Sequence, residues 1–274
     1  MKYLKDDGYT FLHASDLYNN LKEKKTISRG VAITFDDGYI DNYENAFPIL
    51  KDYGIPATIF IAGTENNDFE FWWDELVYLL IERKAWPASF DITTKGKVLS
   101  YQIHTENEAK DILLKLHAEL KTMNFSERES IFLQLYKIFS IQRKARLEYT
   151  HCSTEQIKEM KTIFEIGGHS AHHCQLSALS VDEQDEEIAE NLNYLDIENE
   201  LASFPLLFAY PYGTKSDFNE TTKELIKKYN YKIAFANFKG QSNGNSNPYE
   251  LPRFVVKNWN TLEFVKKINS FFTY

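Results

Sequence analysis

Apolar positions along this chain follow two alternating rhythms. Gly30-Val-Ala-Ile-Thr-Phe-Asp36 is a short β-branched run, apolar at consecutive positions and ending in acid. That is the pattern of a strand buried on both faces. From Asp41 to Tyr53 the residues Tyr43, Ala46, Phe47, Ile49, Leu50 and Tyr53 recur near helical spacing, and Gly54 and Pro56 end the helix. Ala57-Thr-Ile-Phe-Ile-Ala62 is a second buried strand. Strand, helix and strand in this order predict a βαβ unit of a parallel sheet. The rhythm returns late, with strands predicted at Phe164–Gly168, Leu206–Tyr210, Tyr231–Phe235 and Leu251–Val256. Helices are predicted at Ser180–Ser203, Phe218–Tyr229 and Thr261–Phe272, the first opened by the capping pair Ser180 and Glu183.

Two stretches depart from this rhythm. Residues 1–24 read as a helical segment, a turn at Gly8-Tyr9, a short apolar stretch and a helix from Ser15 to Lys24. Between about 65 and 150 the pattern gives a small hairpin at Asp91–Leu99 and amphipathic helices at Asn107–Thr122 and Ser126–Phe139. The whole chain, 1–274, is therefore expected to be one α/β domain. Its architecture is a distorted, incomplete (β/α) barrel with a mixed hairpin-and-helix insertion at about 65–150.

Composition narrows the function classes. With 43% hydrophobic and 26% charged residues the chain is globular rather than disordered. Lys+Arg 31 against Asp+Glu 40 gives a net charge of −9, which argues against non-specific binding to nucleic acid or an anionic membrane. No run reaches the roughly 18–20 apolar residues of a membrane span, and the first residues lack the apolar core of a signal peptide. Cys152 and Cys174 make no CxxC pair. A cytoplasmic protein in a reducing compartment is expected.

Three clusters at predicted strand ends could carry chemistry. Asp36-Asp37-Gly38 sets two carboxylates side by side, a costly arrangement that a cation would relieve; an acid pair entering the next helix is the plainer alternative. His169-Ser-Ala-His172-His173 places His169 and His173 four residues apart, one helical turn, with His172 pointing elsewhere. Two imidazoles plus a carboxylate suit zinc or a related divalent ion with open positions, although a solvated polar turn is the competing reading. Phe208-Ala-Tyr210-Pro211-Tyr212-Gly213 is a turn that can aim a backbone N–H at an oxyanion, or an aromatic strand end packed on the core. All three fall on one face of the expected barrel.

Their order and wording resemble the polysaccharide deacetylase family, with its NodB-homology or carbohydrate esterase family 4 fold. Thr34-Phe-Asp-Asp-Gly38 is similar to its first motif, His169–His173 to its H-[ST]-x-x-H motif, and Phe208–Gly213 to the F-A-Y-P-[YF]-G form of its third. The resemblance covers residues of about 1–64 and 151–274. It implies Asp37, His169 and His173 as metal ligands, Asp36 as general base and the Tyr212 backbone N–H as oxyanion donor. The ion it implies is Zn2+ first, with Co2+, Ni2+ or Mn2+ as alternatives. The implied reaction is hydrolysis of an N-acetyl group on an amino sugar in a polysaccharide or lipid-linked precursor glycan.

Three features depart from the family pattern. Ala209 and its neighbours carry no third-motif arginine, and Arg253, one of six arginines, is the candidate replacement. Val255-Val-Lys-Asn-Trp259 stands where the family's Leu-x-His is sought. The family's first strand is not evident before residue 1. Phe71-Trp72-Trp73-Asp-Glu75 offers aromatic faces, so Trp72 and Trp73, with Tyr210 and Pro211, are candidate substrate contacts; a core position for one tryptophan is the alternative. Apolar faces of the insertion helices could pair two subunits. The rival functions are hydrolysis of another non-peptide C–N bond, such as a formamide or cyclic amide, and a catalytically inactive carbohydrate-binding homologue.

Overall fold

Each strand pairing in the sheet that carries the motif residues is parallel. The computed structural model describes residues 1–25, 27–64 and 70–272. In chain order the strands are β1 Thr10–Leu12, β2 Gly30–Ala32, β3 Thr34–Phe35, β4 Ala57–Ile61, β5 Ser89–Thr94, β6 Lys97–Gln102, β7 Phe164–Gly168, β8 Leu207–Ala209 and β9 Ile233–Phe235. Residues 1–65 with 152–274 form one compact unit and 66–151 a second.

In the first unit β3, β4, β7, β8 and β9 hydrogen-bond in that order as a five-stranded sheet. The sheet curls into an open half-barrel of the expected α/β type. β2 and β3 are one extended run broken at Ile33. The first part pairs with β1, the second with β4, and the Ile33 carbonyl accepts the Thr58 N–H at 2.9 Å. The stretch at Thr10–Leu12, read from the sequence as a short apolar stretch with no element assigned, is thus a strand. Three residues are too few for periodicity to register; the pairing partner decides it. Leu251–Val256, expected as a strand, makes only a parallel bridge from Leu251 to Phe235. Pro252 has no N–H to continue the ladder, and the Arg253 N–H turns to the Phe238 carbonyl.

Alternation along β4 sends Ile59 and Ile61 to one face and Phe60 to the other. The first face packs with Phe208, Tyr210, Ile157, Ile188, Leu195 and Ile226. The second packs Phe60, Leu207, Ala209, Ile233 and Phe235 under Ala14, Leu17, Tyr18 and Leu21 of helix Ala14–Glu23. That helix is anchored by its first N–H groups: Ala14 donates to Thr58 Oγ1 at 3.2 Å and Ser15 to Glu165 Oε2 at 3.0 Å. A carboxylate of β7 therefore meets the positive end of the helix.

The second unit contains the antiparallel hairpin of β5 and β6 and helices Trp72–Val77, Glu106–Lys121 and Phe125–Ile138. Thr105 and Asn124 cap the two longer helices. It coincides with the stretch where the βαβ rhythm is lost, although position 65, where the insertion was expected to begin, lies outside the described residues. Buried Glu75 is paired with Arg143, which also holds Glu129. Among the described residues no helix is long and apolar enough to cross a membrane.

Candidate active site

Asp36 and Asp37 leave the end of β3, His169 leaves β7, and the Tyr210–Gly213 turn leaves β8. Strand C-terminal ends are where parallel α/β sheets gather functional groups. Asp37 has a left-handed backbone (φ 75°), and its carbonyl accepts the Ala62 N–H at 3.1 Å. This break from extended geometry lets two adjacent carboxylates serve one site instead of opposite faces of the sheet. Gly38 follows at φ 93°, where a Cβ would lie 2.9 Å from Ile61 Cδ1. Glycine alone fits this turn without a shift of its neighbour.

Asp37 Oδ1 is 3.4 Å from His169 Nε2 and 3.3 Å from His173 Nε2. One ligand atom from each of the three lies within 4.8 Å of the others. His169 Nδ1 is 2.7 Å from the Ala209 carbonyl oxygen, which can only accept. Nδ1 therefore carries a proton, and Nε2 is the ring atom that faces Asp37. Asp37 Oδ1 is itself buried without a hydrogen-bond partner. A buried carboxylate oxygen with no hydrogen-bond partner, facing two imidazole nitrogens, is an orphaned acceptor that a cation would satisfy. Burial pushes the Asp37 carboxyl up, but the two imidazoles outweigh this and hold it well below the usual carboxylate range. One ionised carboxylate and two imidazoles are thus a donor set that fits a divalent ion.

The two histidines meet by a route other than the expected helical turn. Residues 169–173 form a folded loop in which Ser170 (φ 63°) and His173 (φ 50°) are left-handed. The His169 and His173 rings lie 4.9 Å apart. His172 turns elsewhere, its Nδ1 2.8 Å from Glu187 Oε1.

Arg253 donates from Nη1 to Asp36 Oδ1 and from Nη2 to Oδ2, both at 2.7 Å. Nη1 also reaches Thr34 Oγ1 at 3.2 Å, and the guanidinium lies over the rings of Phe60 and Phe235. Burial pushes the Asp36 carboxyl up, but Arg253 and then His169 outweigh it, and the group sits below its ordinary value.

At the third strand end the Pro211 carbonyl accepts the Gly213 N–H at 2.6 Å, with Tyr212 between them at φ 60°. Carbonyl and N–H point oppositely across a trans peptide, so the Tyr212 N–H is directed out of this turn. The Tyr212 ring packs edge-on against His173 at 4.6 Å. Asn237 braces the turn: its backbone N–H donates to the Gly213 carbonyl at 2.6 Å and its Nδ2 to the Tyr212 carbonyl at 3.3 Å.

Of the other sequence candidates, Tyr210, Pro211 and Trp72 are buried and Trp73 is half-buried. Tyr210 is 1% exposed, stacks on Phe218 at 4.0 Å and donates to the Tyr249 carbonyl, so it is a packing residue and not a substrate contact. Pro211 is buried and shapes the turn. Trp72 is buried in the second unit against His117 and under the Arg128 guanidinium, the core alternative for one tryptophan of the pair. Trp73, also in the second unit, is half-buried and stacks on Phe71.

Sequence reasoning named Thr34 only within its motif and missed Asn237, Glu187 and Asn191. The last two carried a signal, because Gln184, Glu187 and Asn191 share the core-facing stripe of their helix with Ile188.

The polysaccharide deacetylase family model matches residues 23–234, a span that contains Asp36, Asp37, His169, His173 and Tyr212 but not Arg253. YxkH of Bacillus subtilis (strain 168), whose name carries a provisional polysaccharide deacetylase assignment, is 50% identical over 64 residues, 23% of each chain. The poly-beta-1,6-N-acetyl-D-glucosamine N-deacetylase of Staphylococcus aureus (strain MSSA476) is 44% identical over 70 residues, 24% of each chain. The match thus spans about a quarter of these curated relatives. Among solved structures, the Streptococcus pyogenes deacetylase PplD in complex with acetate gives a TM-score of 0.58 at 21% identity, covering 97% of this chain and 82% of that one. IcaB from Ammonifex degensii gives 0.57 at 17% identity, covering 98% and 84%. At these identities the two structures show a shared fold.

Proposed function

We propose that this chain, which belongs to the polysaccharide deacetylase family, is a metal-dependent hydrolase that removes N-acetyl groups from amino sugars in a polysaccharide or lipid-linked glycan. The observation that carries this reading is the Asp37–His169–His173 triad beside an ionised Asp36 held by Arg253. Asp37, His169 and His173 would hold the ion, Zn2+ first among Co2+, Ni2+ and Mn2+. When bound, the ion supplies Lewis acidity, polarising the acetyl carbonyl and acidifying a water.

This chain's residues do the remaining work. Asp36 accepts the proton of the attacking water, whose oxygen bonds to the acetyl carbon. The Arg253 fork keeps both carboxylate oxygens in place and the group ionised, while each oxygen keeps further acceptor capacity. The Tyr212 N–H, turned outward beside His173, donates to the oxygen that gains charge. The C–N bond then breaks, Asp36 returns the proton to the nitrogen, and acetate and a free amine leave.

The name of the Staphylococcus relative makes β-1,6-linked N-acetylglucosamine oligomers the first substrate to assay. Acetate release is expected from N-acetylated amino-sugar oligomers or lipid-linked sugars. Chelation should remove it and Zn2+ or Co2+ restore it. Release of formate, or ring opening of a cyclic amide, in place of acetate would move the reading to another C–N hydrolase. No turnover on any of these, with metal bound, would leave an inactive sugar-binding homologue.

A further inference from the structure

The loop that carries both imidazole ligands is held from outside by one helix. Helix Val181–Leu192 presents Glu187 and Asn191 four residues apart and therefore on one face. Both are buried, Asn191 fully and Glu187 at 6% exposure. The Glu187 carboxylate accepts the His172 backbone N–H at 2.9 Å, His172 Nδ1–H at 2.8 Å and the Cys174 thiol at 3.4 Å. Its backbone carbonyl accepts the Ala171 N–H at 3.0 Å. Asn191 Oδ1 accepts the His169 N–H at 3.1 Å, while its Nδ2 donates to the carbonyls of Ile61 and Gly63 at the end of β4.

These contacts fall on a segment that is costly to hold. Ser170 and His173 are non-glycine residues in left-handed conformations, which persist only where surrounding groups over-determine them. A buried carboxylate accepting three donors is such a determinant, because releasing any one leaves it poorly compensated. The bond to His172 Nδ1 also turns this imidazole toward the helix, which leaves two of the loop's three imidazoles for Asp37.

We propose that Glu187, supported by Asn191, is a positioning residue for the metal site: it fixes the 169–174 loop so that His169 and His173 present their Nε2 atoms to Asp37. The inference rests on the metal reading given above.

The test is Co2+ titration, following affinity and the ligand-field absorption spectrum, of wild type, Glu187→Ala, Glu187→Gln and Ile188→Ala. Ile188 is fully buried on the same helix and controls for loss of packing. Loss of a group that orients metal ligands costs about 10- to 100-fold in metal affinity. Glu187→Ala is expected to lose that much and to change the spectrum. Glu187→Gln retains one acceptor oxygen and should fall between it and wild type, and serves where the alanine variant does not fold. Ile188→Ala should lower the melting temperature and keep wild-type affinity and spectrum. Wild-type affinity and spectrum in folded Glu187 variants would overturn the proposal alone, as would an equal loss in Ile188→Ala. A wild type that binds no Co2+ would overturn the metal reading and this proposal with it.

Discussion

Arg253 and Asp36, 217 positions apart in the chain, are joined by two hydrogen bonds of 2.7 Å, one to each carboxylate oxygen. The fork-to-carboxylate match fixes the orientation of the acid as well as its charge. Lysine could supply the charge but not the planar fork. The pair also ties the segment after Leu251 to the end of β3.

The first prediction concerns this fork. Hydrogen bonds to charged groups contribute about 1.5–3 kcal/mol, so Arg253→Lys should lower kcat/KM roughly 10- to 100-fold. Arg253→Ala removes the positive charge that lowers the Asp36 pKa. The carboxyl then stays protonated to higher pH, and the acid limb of the kcat/KM profile should move upward. An unmoved limb in the alanine variant would separate Arg253 from the base.

The second prediction concerns the metal. The triad is formed by Asp37, which follows β3, and by two residues of the loop after β7, which meet only on folding. An ion bound by the folded state alone, at 100 times its Kd, stabilises it by about 2.7 kcal/mol. Zn2+ should therefore raise the melting temperature of chelator-treated protein by several degrees, and His173→Ala should abolish the rise. An equal rise in that variant would place the ion elsewhere.

The third prediction concerns pH. Cys152 is 6% exposed, and burial is the main cause pushing its thiol up to about 12. An unfolded cysteine ionises near 8.5. Between these values the unfolded chain has released a proton that the folded chain keeps. Stability from this group is thus fully present below about pH 8.5 and is lost as pH rises toward 12. Cys152 should resist iodoacetamide at pH 9 in the native protein and react in urea, as read by mass spectrometry. Rapid labelling of the native protein would contradict the buried thiol.

What was legible in the sequence was what repeats or what chemistry constrains locally. The continuous apolar runs at Ala57–Ile61 and Phe164–Gly168 announce buried parallel strands. Acidic and imidazole side chains at strand ends announce a site. The ligand set Asp37, His169 and His173 follows from the family motifs, while the helical turn invoked for the two histidines does not exist. The left-handed angles at Ser170 and His173 lie in a loop held by hydrogen bonds to Glu187 and Asn191, and no local pattern at 169–173 encodes them. Strand β1 was missed because three residues carry too little periodicity. Tyr210 misled because an aromatic at a strand end looks the same in sequence whether it faces a cleft or a core. Arg253 stood out only because arginines are few; its bond to Asp36 depends on bringing Leu251 beside Phe235.

Asp36 is proposed to act as the base beside an ion held by Asp37, His169 and His173. The most direct measurement is acetate release by wild type and Asp36→Asn, each loaded with one equivalent of Zn2+ and matched for metal content. Proton transfer by a positioned side chain contributes roughly 100- to 10,000-fold. The variant is expected to keep its Zn2+ and lose turnover by that factor. Undiminished acetate release from metal-loaded Asp36→Asn would remove Asp36 as the base.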